Sequence, residues 1–176
     1  DNAVYIYNSL TGSYASYVGG IGINGGSQYI PSSQSFWVKA NGIGVPAITA
    51  VEAVKKSAGM GADTTFLKIA NNPNTSHYPM AFSDFPIPLN TNNILNSIKL
   101  TASGGGYDDE TFIQFIQNAT TNFDTQLDAW KFTSGLVDIS SVIYDSLDFS
   151  INSLPELISD VTLKIHFTVG SSGTYS

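Results

Sequence analysis

The stretch Val161-Thr162-Leu163-Lys164-Ile165-His166-Phe167-Thr168-Val169 decides the fold class. Each odd-numbered residue is apolar and each even-numbered one polar. A strand with one buried face requires this period of two, because successive side chains leave a pleated backbone on opposite sides. Ile143, Leu147, Phe149 and Ile151 line one face of a second run, interrupted at Asp145, and Ile94, Ile98 and Leu100 line a third. Shorter strands are predicted at Val4 to Tyr7, Tyr14 to Val18, Ser35 to Lys39, Thr65 to Ile69, Thr111 to Ile116 and Asp128 to Phe132.

Turn clusters separate these runs: Asn24-Gly25-Gly26, Asn71-Asn72-Pro73-Asn74, Gly104-Gly105-Gly106 and Gly170-Ser171-Ser172-Gly173. Their residues tolerate positive φ or bend the chain locally. Many short strands with frequent turns predict an all-β, antiparallel β-sandwich, jelly-roll-like, with at most one or two short helices. One helix is predicted over Ala50 to Ala58, because Thr49-Ala50-Val51-Glu52 has capping-box spacing and Gly59 suits a helix stop.

The chain has 176 residues, 42% of them hydrophobic, which suits a single domain over residues 1–176 with a core of its own. Only 12% are charged, so neutral polar side chains must cover most of the surface. Fourteen Asp and Glu face seven Lys and no Arg, giving a net charge of −7. Without guanidinium groups and with this charge, nucleic acid and anionic membranes are poor partners. No apolar run approaches the ~20 residues that span a bilayer, so membrane insertion is not expected. The start, Asp1-Asn2-Ala3-Val4, lacks the basic and apolar regions of a signal peptide and reads as mature, soluble protein. With no cysteine there are no disulfides, thiolate metal sites or cysteine nucleophiles.

Three groups of residues carry a family resemblance. The first runs from Val4-Tyr5-Ile6-Tyr7-Asn8 through Tyr17-Val18-Gly19-Gly20-Ile21-Gly22 to Phe36-Trp37-Val38-Lys39-Ala40-Asn41-Gly42. The second is Asp109-Glu110-Thr111 with Ala119-Thr120, Phe123-Asp124 and Asp128-Ala129-Trp130-Lys131, and the third is Ser150-Ile151-Asn152-Ser153-Leu154-Pro155. In this order they resemble a β-sandwich module of secreted and surface proteins of Bacteroidetes, found before the C-terminal sorting domain of the type IX secretion system. The resemblance implies a secreted, extracellular or cell-surface address and a noncatalytic role, and supplies neither ligand nor catalytic residues. Family members share an Asn- and Pro-rich stretch upstream and further strands downstream, which this sequence lacks. It is then a fragment lacking flanking strands or a variant whose sheet is completed otherwise. Residues 43–64 also depart from the family, and Trp130 stands where a tyrosine is more usual.

Asp108, Asp109, Glu110, Asp124 and Asp128 form the densest acidic group. Calcium takes six to eight oxygen ligands in irregular loops, so these carboxylates with carbonyls of Gly105 or Gly106 could hold a structural ion. Equally, they can cap turns or face water. His77 and His166 lack the local partners of a catalytic triad or zinc site, and no enzyme activity is expected. Trp37, Trp130, Tyr107 and Tyr78 are the candidate ligand-binding aromatics, since exposed rings beside amides stack on neutral glycans. Core packing explains both tryptophans as simply.

Two functions compete on this reading. One is a structural or adhesive module that assembles through β-strand pairing with a neighbouring chain or domain. The other is a carbohydrate-binding module attached to a polysaccharide-degrading enzyme.

Overall fold

The computed structural model describes residues 2–30, 34–40, 47–49, 51, 94–143 and 146–176. These residues are all-β, with nine strands and no helix among them. The strands are β1 (Val4–Asn8), β2 (Ser13–Val18), β3 (Ile21–Ile23), β4 (Ile94–Gly104), β5 (Tyr107–Ile116), β6 (Ala129–Trp130), β7 (Val137–Ile143), β8 (Leu147–Leu154) and β9 (Lys164–Val169). The predicted helix at Ala50 to Ala58 lies outside the described residues, Val51 excepted, and so do Thr65 to Ile69, His77 and Tyr78.

β1, β2 and β3 form a three-stranded antiparallel sheet in chain order. The other six form a second sheet, in which β4 pairs β5, β5 pairs β8, β8 pairs β7 and β7 pairs β9, with β6 also on β8. Two tight hairpins fix the registers. Gly105 and Gly106 join β4 to β5 with φ of 63° and 84°, and Gly19 and Gly20 join β2 to β3 with φ of 59° and 92°. Two-residue loops with both φ positive match the natural strand twist, and glycine enters that region without a Cβ clash.

Every pairing is antiparallel except one: β5 runs parallel to β8, with Phe112 opposite Ile151 and Phe115 opposite Leu154. The purely antiparallel expectation is corrected there. Phe149 partners both Ser141 and Trp130, and Ile151 partners both Phe112 and Ala129. A strand residue has one partner per edge, so β6 holds one edge of β8 while β7 and β5 share the other. That edge is a fork. Where β7 leaves β8, side chains of β5 take over: Thr111 Oγ1 lies 3.1 Å from the Phe149 carbonyl, and Asp109 Oδ2 accepts the Ile139 N–H at 2.6 Å. Buried backbone groups need partners, and β5 supplies them.

The two sheets share a core. Tyr5, Val18, Ile21 and Ile23 of the small sheet pack with Phe112, Ala129 and Ile151 of the large one. A second cluster joins Ala102 of β4 to Val137 and Ile139 of β7, with Leu100 and Tyr175 against it. β4 and β7 are not paired neighbours, so the large sheet curls to bring them together. β9 departs from expectation. It starts at Lys164 rather than Val161, and all six of its residues are exposed, including Ile165 at 40%, Phe167 at 46% and Val169 at 39%. The face that its alternation marks for burial is only partly covered among the described residues, where the Phe167 ring meets Tyr175 edge-on with centroids 6.0 Å apart.

Candidate functional site

The acidic residues were expected in a loop, and the structure corrects this: Asp108, Asp109 and Glu110 lie within β5, paired with Thr101 to Ser103 of β4. The Gly105-Gly106 turn feeds the chain directly back along β4, so their polarity does not interrupt the ladder. Alternation then sends Asp109 and Glu110 in different directions.

Asp109 is fully buried. Its Oδ1 accepts the Asn24 side-chain amide at 2.8 Å, and its Oδ2 accepts Ile139 N–H and meets Lys131 Nζ. Burial pushes its carboxyl above the usual carboxylate range, against the opposing effects of the Lys131 charge and of these hydrogen bonds. Glu110 accepts the Asn24 backbone N–H at 2.9 Å and pairs Lys99 at 2.6 Å. Asn24, at φ 51°, therefore sits between two neighbouring acids of β5 and ties the turn after β3 to the large sheet.

Asp124 and Asp128 build a different feature. Asp124 Oδ2 accepts Thr120 N–H at 2.7 Å, and Asp128 accepts the N–H groups of Asp124 and Ser153, each at 2.7 Å. Asp128 is fully buried, and desolvation raises its pKa to about 6. These two carboxylates organise the loop between β5 and β6 and clamp it to β8. Among the described residues, no three acidic or imidazole side chains gather as a metal ion would need. Of the five proposed calcium ligands, Asp109 and Glu110 share the setting around Asn24, Asp124 and Asp128 share the loop before β6, and Asp108 is exposed.

The aromatic candidates also part company. Trp37 bridges Tyr5 through paired backbone hydrogen bonds of 2.8 and 3.0 Å, extending the small sheet beyond β1, and the residue is 58% exposed. Trp130 is half-buried. It stacks on Phe123 at 4.6 Å and on Phe149 at 5.0 Å, and Lys39 Nζ lies 3.4 Å from its ring centroid. With its ring crowded by these groups, Trp130 is a packing residue rather than an open platform. Tyr107 is 38% exposed and lies against Gly12, where an added Cβ would come within 2.5 Å of its ring.

Two further features lie outside the candidate residues. His166 Nδ1 lies 3.2 Å from Asp148 Oδ1, which also accepts Ser140 Oγ at 2.6 Å. Serine and histidine, cross-strand partners in the β7–β9 ladder, both converge on the carboxylate. The second is the exposed apolar row of β9, whose only signal was the same alternation that suggested burial. Comparison with family models, curated proteins and solved structures returned no match. No helix among the described residues is long and apolar enough to cross a membrane.

Proposed function

We propose that this chain is a noncatalytic structural or adhesive module that assembles by pairing a strand edge with an extended segment of a neighbouring chain. β9 carries the reading. It stands at the end of the sheet's hydrogen-bonded path and exposes Ile165, Phe167 and Val169 in one row. Exposed apolar strands at a sheet end are templates for strand addition, with main-chain bonds giving affinity and alternate side chains giving specificity. The other end strand, β4, already takes an extended partner: Ser103 and Ser176 exchange backbone hydrogen bonds of 2.7 and 3.0 Å.

The shared core of the two sheets supports a β-sandwich as the finer description of the fold. An extracellular address on a secreted or cell-surface bacterial protein is proposed from the sequence resemblance to the Bacteroidetes module. Light scattering across a concentration series, with intact mass, tests the assembly. Concentration-dependent association or a copurifying peptide is expected. A monomer at every concentration with no bound peptide would overturn the reading.

One observation favours carbohydrate binding as the second reading: the open Trp37 ring on the edge of the small sheet. An array of neutral glycans tests it, with retention that depends on Trp37 as the supporting result.

A further inference from the structure

We propose that Lys131 and Asp109 are joined by an intramolecular amide bond, formed within the folded protein. This inference is independent of strand assembly and stands on the fork in the large sheet.

The two side chains approach from opposite sides of β8. Asp109 belongs to β5, on the forked edge, while Lys131 follows β6, on the other edge. Each backbone is held: Asp109 is paired with Ala102, and Lys131 N–H donates to the Asp148 carbonyl at 2.8 Å. The Lys131 side chain crosses β8 to reach Asp109, and the two side chains are 2% and 0% exposed. Reacting groups fixed in contact this way need no encounter, which removes much of the entropic part of a barrier.

The surroundings favour a neutral product. An ammonium carries three donors, and among the described residues Lys131 meets only the Asp109 carboxylate. Keeping two full charges in so dry a place costs solvation that a single ion pair does not fully restore. Transfer of one proton inside the pair leaves an amine and a carboxylic acid, a nucleophile facing an electrophile. The upward push of burial on the Asp109 carboxyl acts in the same direction. Two donors are already aimed at the carboxyl oxygens, Ile139 N–H at 2.6 Å and Asn24 Nδ2 at 2.8 Å. They are placed to hold the negative charge that develops when Nζ adds to Cγ.

The step balances without oxidant or cofactor. The Nζ–Cγ bond forms and one Cγ–O bond breaks. The ammonium gives up two protons, which leave with the departing oxygen as water. The product keeps one N–H and one carbonyl oxygen, and both buried charges are gone. Hydrolysis would need water readmitted to a closed site. The bond closes a loop between residues 22 apart in sequence and bolts the two edges of β8 together.

Intact mass of the purified 176-residue chain tests this directly. The expected mass is lower than that of the sequence by one water, about 18 Da. Trypsin should leave Lys131 uncut, giving a dehydrated peptide over residues 100–164 whose fragments place the link at Asp109 and Lys131. Lys131→Arg, which keeps the charge, should restore the full sequence mass. Asp109→Asn should form the same link with loss of ammonia, about 17 Da. The wild-type mass decides the matter even where a variant fails to fold. A mass equal to the sequence, cleavage at Lys131, or a water loss mapped elsewhere would overturn the proposal.

Discussion

Asn24 donates its side-chain amide to Asp109 Oδ1 at 2.8 Å, so the turn that ends the small sheet is hydrogen-bonded to a buried residue of the large one. The same amide reaches the Tyr14 carbonyl at 2.9 Å. Asn24→Ala removes both bonds, leaves buried acceptors unmatched and puts a β-carbon at φ 51° without the asparagine's local compensation. A loss of about 2–4 kcal/mol is expected by urea unfolding. Asn24→Gly accepts the backbone conformation and should lose less. Equal losses in the two variants would show that backbone strain contributes nothing at this turn.

Asp128 sets a pH dependence of definite sign. Its pKa is about 6 in the folded chain against 3.8 for the free side chain, so between these values the folded state holds a proton that the unfolded state has released. Stability must therefore fall as pH rises from about 4 to about 6, by about 3 kcal/mol in all. The raised Asp109 carboxyl adds in the same direction where it remains a free acid. Asp128→Asn should flatten the curve in this window. At pH 7 it should also cost about 1–3 kcal/mol, because an amide cannot accept both the Asp124 and Ser153 N–H groups. Melting temperatures from pH 3.5 to 7.5 provide the measurement.

The two tryptophans should separate stability from binding. Trp130→Ala opens a space between Phe123, Phe149 and Lys39 and is expected to cost about 3 kcal/mol. Trp37→Ala, at an exposed ring, should change stability by less than about 1 kcal/mol. Any retention on neutral glycans should vanish with Trp37→Ala while the fold persists. Retention that survives it would remove the aromatic-platform reading.

A charge on β9 should prevent association without unfolding the chain. Phe167 is 46% exposed and its ring meets Tyr175 edge-on, so Phe167→Lys loses part of a packed ring and should cost about 1–2 kcal/mol. A lysine in the apolar row opposes edge pairing. Light scattering should then report a monomer where the parent associates, with unchanged circular dichroism.

Local chemistry made much of this architecture legible. β9 announces itself by strict alternation, and β1, β2 and the C-terminal half of β5 by short runs rich in Val, Ile, Tyr and Phe, while the Gly104-Gly105-Gly106 cluster marks the β4–β5 turn. β3 was missed because Ile21-Gly22-Ile23 is too short to show a period. Of β7 only Ile143 was read as strand, in one run with Leu147 although the two face each other across the β7–β8 ladder, because Ser140 and Ser141 interrupt the alternation of Val137 and Ile139. The acids at the start of β5 looked like a loop, since nothing in the sequence reveals that Lys131 and Asn24 wait to receive them. That site depends on contacts between residues 22 and 85 positions apart, which no local window contains.

The fork at β8 also sets an order of events in folding. The hairpins of β1 with β2 and of β4 with β5 join near neighbours in sequence and close quickly. The parallel register is different, because Thr111 must find the carbonyls of Phe149 and Ser150, 38 and 39 residues on. Such long-range contacts meet their loop-closure cost before they return any stabilisation. The hairpins should therefore assemble first and the fork should set the rate. Substitutions at Thr111 or Ser150 should slow refolding, whereas those in the first hairpin should mainly speed unfolding.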